Sequence, residues 1–221
     1  MELRSIKDTP DDILDVLTDM MNRDCQPGKF SLEELRDTYS KNTDILYIVK
    51  NNIPIYFLLL DVFPIQKMVY LHDICLNKLH RGKGIFKKSI AYLKKYYSKK
   101  GIRTFTLDAS DSNKEEGLDQ KARLHIFHSV GFDVNPETGF FKKTGEYAVI
   151  KTHVRLDTGM RVIIQDKKDD TYTVKDIKGN VFTIKIDEIE NCYDSKSKQI
   201  ACPMIMELGS PAKKARKTRK R

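Results

Sequence analysis

Apolar positions along the chain follow two rhythms, one helical and one alternating. Ile13, Leu14, Val16, Leu17, Met20 and Met21 recur at helical spacing after the cap-type run Asp8-Thr9-Pro10-Asp11-Asp12, which predicts a helix. Leu3 to Ile6 reads as a short strand before it. Pro27-Gly28 breaks the pattern, and Ser31-Leu32-Glu33-Glu34 has the form of a capping box that opens a second helix, running to about Lys41. Ile45 to Lys50 and Ile53 to Val62 are apolar, β-rich runs separated by Asn51-Asn52, the signature of a hairpin. Met68 to Leu76 is the next strand. Ile85, Ile90, Leu93 and Tyr97 then form the apolar stripe of a helix that Gly101 ends. Ile102 to Ala109 is a further strand. Ala122, Leu124, Ile126, Phe127 and Val130 lie on a helix from Gln120 to Val130, stopped by Gly131-Phe132. Glu146 to Leu156 reads as a last long strand.

The predicted order is therefore strand, helix, helix, three strands, helix, strand, helix, strand, an α/β arrangement. At 221 residues the chain has room for one domain of about 150 residues and something smaller. The hydrophobic share of 40% suits a packed body, and no apolar run approaches the roughly 18 residues that span a bilayer. The start, MELRSIKDTPDD, lacks the apolar core of a secretory signal. Cys25, Cys75, Cys192 and Cys202 form no C-x-x-C pair, which argues against zinc and against a disulfide framework; reduced thiols in a cytosolic or nuclear protein are expected.

Candidate chemistry concentrates in Leu71 to Ile90, LHDICLNKLHRGKGIFKKSI. A strand runs into Arg81-Gly82-Lys83-Gly84, and a basic amphipathic helix follows. A Gly-rich turn at a helix start leaves backbone N–H groups unpaired at the positive end of the helix dipole, a seat for phosphate or pyrophosphate. The turn is not a P-loop, because G-x-x-x-x-G-K-[ST] is absent, and it lacks the third glycine of a dinucleotide fingerprint.

With Arg81, Gly84 and their spacing, the turn resembles the acetyl-coenzyme A loop of the GNAT acetyltransferase superfamily, R/Q-x-x-G-x-G/A after the fourth strand; Phe86 stands where Gly or Ala is usual. The order of elements over residues 1–156 is similar to the same superfamily. So is LHIFHSVGF at 124–132, whose Gly131-Phe132 ends the late helix as in that family. The resemblance implies a central mixed sheet flanked by helices, acetyl-coenzyme A as co-substrate, and a primary amine as acceptor, on a small molecule or a protein. It implies that the coenzyme lies against Ile74, Cys75 and Leu76, with the Leu76 amide near the thioester oxygen. Its pyrophosphate would lie on the amides of Arg81, Gly82, Lys83, Gly84, Ile85 and Phe86. The position usually held by a catalytic tyrosine is Phe127, which carries no hydroxyl. Three readings stay open there: a neighbour such as His125 or His128 supplies the proton, no acid is needed, or the fold binds coenzyme A without turnover. For a general base the candidates are His72 and Asp73, on the strand ahead of the loop. Period-two counting puts Tyr70, His72 and Ile74 on one face and Asp73 on the other, and a bulge would reverse that parity.

Beyond residue 156 the pattern changes. Gly159 to Gln165, Thr171 to Ile177 and Val181 to Ile186 are short β-type runs with polar turns between them. They predict a small all-β barrel or meander over 157–208 that resembles Tudor-type or KOW-type barrels. Such barrels bind peptides or nucleic acid, and a purely packing role is the other reading. Residues 209–221 end in SPAKKARKTRKR. Its seven Lys/Arg account for most of the net charge of +9. This block is expected to be disordered and to act as a nuclear localisation signal or as an arm for nucleic acid, with a cytoplasmic protein as the alternative. No membrane partner is expected.

Overall fold

The computed structural model describes residues 3–5, 9–25, 31, 43–51, 53–110, 120–135, 145–176, 178–195 and 201–208. The second helix expected from Ser31 to Lys41 and the basic tail lie outside the described residues. In chain order the elements are β1 (Leu3–Ser5), α1 (Asp11–Asp24), β2 (Thr43–Lys50), β3 (Ile53–Phe63), β4 (Met68–Leu76), α2 (Ile85–Lys99), β5 (Thr104–Ser110), α3 (Gln120–Val130) and β6 (Asp133–Val134). They continue with β7 (Gly145–Ile150), β8 (Arg161–Lys168), β9 (Thr171–Lys175), β10 (Val181–Lys185), β11 (Ile189–Ser195) and β12 (Ala201–Glu207).

Two sheets result. One has the order β1-β2-β3-β4-β5-β12-β6, and the other β10-β9-β8-β7-β11. β4 and β5 are parallel, joined by the α2 crossover, while the other pairings of the first sheet are antiparallel. The expected mixed sheet flanked by helices is therefore present, with an extra β region attached.

The apolar pattern explains what covers each face. Ile90, Leu93 and Tyr97 of α2 pack with Phe132 on Leu58, Leu60, Val69, Leu71, Phe105 and Leu107. On the opposite face Leu14, Leu17, Met20 and Met21 of α1 cover Ile45, Tyr47, Phe57, Leu59 and Cys75. Asp11 and Asp12 in the first turn of α1 favour its positive end. Farther along that face the second sheet takes over: Ala148, Ile150, Met160, Val162 and Val174 pack on Phe63, Met68 and Tyr70. The docking is also polar. The buried Asp157 carboxylate accepts from the amides of Ile65 and Gln66, each at 3.1 Å. Gln66 donates to the Arg155 carbonyl, and Lys178 Nζ donates to the Gln66 carbonyl at 2.7 Å.

Two expectations change here. The strand placed at Glu146 to Leu156 is Gly145–Ile150, and it pairs with β8 and β11 in the second sheet. The place beside β5 is filled by Ala201–Glu207, so the second sheet interrupts the first in sequence rather than following it, and residue 156 falls between β7 and β8, which pair with each other in the second sheet. Sequence periodicity marks a strand but not its neighbour, which long-range packing decides. Cys25 and Cys75, expected as reduced thiols, are disulfide-bonded, with Cα atoms 5.8 Å apart. The C-terminus of α1 lies over β4 and brings together residues separated by 50 in sequence. Cys192 is free and exposed.

Candidate functional site

The site begins with an irregularity in β4. Leu59 of β3 pairs with Asp73, but the next residue, Leu60, pairs with Leu71, so His72 is an extra residue in the ladder. The bulge reverses the parity counted from sequence. Asp73 and Cys75 join the Tyr70 face, and Ile74 and Leu76 turn to the core under α2. The parallel ladder between β4 and β5 runs from Met68↔Thr104 to Leu71↔Leu107 and ends where the bulge begins. β5 continues alongside β12 as far as Ser110↔Ala201. The β5-facing edge of residues 72–76 therefore lies outside the parallel ladder, an edge on which an extended amide chain can be laid.

Beyond Leu76 the chain turns tightly. The Asn77 side chain accepts from Leu79 N–H at 2.9 Å, and His80 and Arg81 amides return to the carbonyls of Asn77 and Lys78. Gly82 and Gly84 have φ of 74° and 71°, the left-handed region that a Cβ disfavours. Gly84 caps α2, and the first intrahelical bond is Lys88 N–H to the Gly84 carbonyl at 3.1 Å. The amides of Ile85, Phe86 and Lys87 precede that bond and have no acceptor within the helix. The helix start is thus built as an anion seat. The side chains of the turn's two cations, Arg81 and Lys83, bond to backbone carbonyls. Arg81 donates to the carbonyls of Leu76, at 3.2 Å, and Asp24, at 2.8 Å, and Lys83 donates to the Leu79 carbonyl at 2.7 Å. Arg81 thus ties the end of β4 to the end of α1, beside the Cys25–Cys75 bond.

On the face between α1 and the second sheet the structure gathers six polar side chains: His72, Asp73, Asp61, Thr43, Tyr70 and Asp108. His72 Nδ1 lies 3.7 Å from Asp73 Oδ2, and its Nε2 lies 3.9 Å from Asp61 Oδ2. The other oxygen of Asp61 accepts from Thr43 at 3.1 Å. Tyr70, edge-on to the His72 ring at 5.4 Å, donates to Asp108 on β5 at 3.0 Å. Burial opposes the charge on His72, but Asp73 and Asp61 outweigh it and raise its pKa above the ordinary 6.5. Burial also raises Asp61, with His72 and Thr43 pulling it back. The Tyr70 hydroxyl is pushed well up by burial and by Asp108. Arg161 of β8 bears on both charges and lowers both His72 and Asp61.

His72 and Asp73 are therefore brought together. His125 is not: it is exposed on α3, whose Leu124 and Phe127 pack on the other face of the sheet. His128 is also exposed, 3.8 Å from Asp133. Phe127 sits edge-on to Phe86, at 5.8 Å, and to Phe132, at 6.1 Å, in an apolar cluster. Sequence reading missed Asp61, Asp108 and Arg161. The signal for the first two was available. Each is a single carboxylate inside an apolar β run, IPIYFLLLDVF and TFTLDAS, and a buried charge needs a reason. Arg161 follows only from the docking of the second sheet.

No protein-family model matches the chain, and no curated protein matches it. Solved structures do. An aminoglycoside 6'-N-acetyltransferase complexed with coenzyme A superposes with a TM-score of 0.54 at 11% identity, covering 94% of this chain and 97% of its own. The ribosomal-protein-S18-alanine N-acetyltransferase from Escherichia coli gives 0.52 at 12% identity, over 96% and 97%. A spermidine N-acetyltransferase chimera, in part from Vibrio cholerae, gives 0.53 at 12% identity, over 94% and 96%. All three are GNAT acetyltransferases, and the chain has their fold.

Proposed function

We propose that the protein is a GNAT-type N-acetyltransferase that moves acetyl from acetyl-coenzyme A to a primary amine. The observation that carries this reading is a coincidence in space. The open edge of β4, the glycine turn at the head of α2 and a carboxylate-flanked histidine all meet where β4 and β5 part. The residues fit the coenzyme. The amides at Gly82 to Phe86 would hold the pyrophosphate, and the edge at Ile74 to Leu76 would hold the pantetheine, with the Leu76 amide available to the thioester oxygen. The coenzyme supplies an activated acetyl group. His72, neutral, accepts a proton from the acceptor ammonium, and Asp73 and Asp61 hold the ring and the charge it gains. The amine attacks the thioester carbon, the C–S bond breaks, and the thiolate leaves and takes up the proton that the acylated nitrogen loses, with no hydroxyl needed at position 127.

Release of free thiol from acetyl-coenzyme A, measured against polyamines, amino sugars, peptide N-termini and histone peptides, tests the proposal. Saturable turnover with one acceptor class is expected, and His72→Ala is expected to lose about 10²–10⁴-fold in kcat/KM. If neither turnover nor saturable binding of acetyl-coenzyme A appears at millimolar ligand, the proposal fails. The packing of Phe127 among Phe86 and Phe132 favours a second reading, a fold that binds coenzyme A with little turnover. Thermal stabilisation by coenzyme A without thiol release in any acceptor arm is its signature. The basic block at 211–221 is proposed as a nuclear localisation signal, which the distribution of a fluorescent fusion with and without it tests.

A further inference from the structure

α2 gives its whole apolar side to the core: Ile90, Leu93 and Tyr97 are at most 1% exposed. Its other side carries Lys88, Tyr92, Lys95, Tyr96 and Lys99, at the three- and four-residue spacing that shares one helical face, and all five are exposed. The rings of Tyr92 and Tyr96 stack, with centroids 6.0 Å apart and planes within 14°. Lys100 Nζ lies 4.3 Å over the Tyr96 ring. Neither α2 nor α3 contains an Asp or Glu. Among the described residues no ion pair joins Lys88, Lys95 or Lys99 to a carboxylate. A surface helix ordinarily intersperses both signs. This face combines unneutralised cations with two near-parallel aromatic planes.

We propose that this face of α2 docks single-stranded nucleic acid. The lysines match a phosphate backbone, and the stacked tyrosines offer flat surfaces that accept unpaired bases of any sequence. From Lys88 to Lys99 the face is about 16 Å long, enough for roughly three nucleotides. A membrane surface fits less well, because an interfacial helix inserts its apolar side and here that side is in the core. An acidic peptide would use the lysines but has no planar groups for the rings. The inference stands apart from acetyl transfer, since the face points away from the sheet that carries His72.

Fluorescence anisotropy of the full-length protein with a labelled 12-nucleotide oligothymidine tests it, at several salt concentrations and with saturating coenzyme A present to occupy the anion seat of the turn. Lys95→Gln combined with Lys99→Gln should reduce the slope of log affinity against log salt by about 1.4. Tyr92→Ala should weaken binding 5-fold or more, and Tyr92→Phe should not. Circular dichroism should show all variants folded, since each altered side chain is exposed, and acetyl transfer to a small amine should be unchanged. The inference is overturned if affinity and salt slope are unchanged in the lysine pair and in Tyr92→Ala. It is equally overturned if the wild-type protein binds phosphatidylserine vesicles but not the oligonucleotide.

Discussion

At the scale of single residues, the proposed base His72 sets the expected pH dependence. Asp73 and Asp61 raise its pKa, so below that value the ring is protonated and cannot accept a proton. The expected kcat/KM therefore rises with pH through an apparent pKa above the ordinary 6.5. Asp73→Asn removes a group that raises it and should move the rising limb to lower pH; an unmoved limb would exclude His72 as the base. The same coupling acts on stability. The contribution of a group raised on folding is present below its unfolded pKa and is lost as pH climbs through the folded one. Gly84 makes a separate prediction. A Cβ there meets nothing within 4 Å, so the difficulty is the left-handed backbone at φ 71°, not space. Gly84→Ala should cost about 1 kcal/mol, read from a urea denaturation midpoint, and should raise KM for acetyl-coenzyme A as the turn shifts. The glycine turn was legible in sequence because its geometry is local. Asp61 and Asp108 stand out in sequence as lone carboxylates in apolar runs, but their partners, His72 and Tyr70, follow only from strand pairing that no local window contains.

At the scale of elements, the three described helices and most strands follow from periodicity, because α1 and α2 each present one apolar stripe and the strands are continuous apolar runs. What periodicity does not carry is the join between elements. The end of α1 is held to β4 by the Cys25–Cys75 bond, by Arg81 to the Asp24 carbonyl, and by Lys78 to the Arg23 carbonyl at 3.5 Å. The disulfide closes a separation of 50 residues. In the chain-entropy model, a loop of that size stabilises by about 4 kcal/mol, with native strain reducing the yield. Cys75→Ser should therefore lower unfolding free energy by about 2–4 kcal/mol. A reducing agent should produce a similar loss in the wild type and none in the variant. Equal midpoints for wild type and variant without reductant would show that the staple contributes nothing.

At the scale of the whole molecule, the decisive fact is that the first sheet is completed by the far end of the chain. β12 lies between β5 and β6, after the entire second sheet, and its Met204 and Met206 are buried in the core under α2. A strand so placed has two ladders, one on each side, so its loss exposes the edges of both neighbours. Removing the two buried methionine side chains alone costs about 4–10 kcal/mol at 2–5 each. Total stability of a domain is only about 5–15 kcal/mol, so the fold cannot absorb that loss together with the broken ladders. A chain ending at residue 195 keeps every residue of the second sheet, yet it should lose cooperative melting in the first sheet as well. A chain ending at residue 208 keeps β12 and should melt as the full protein does. If the order were two consecutive domains, the shorter chain would retain the first domain's transition and coenzyme A would still raise its melting temperature. Cooperative, coenzyme-responsive melting of residues 1–195 is therefore the result that would overturn the interleaved architecture.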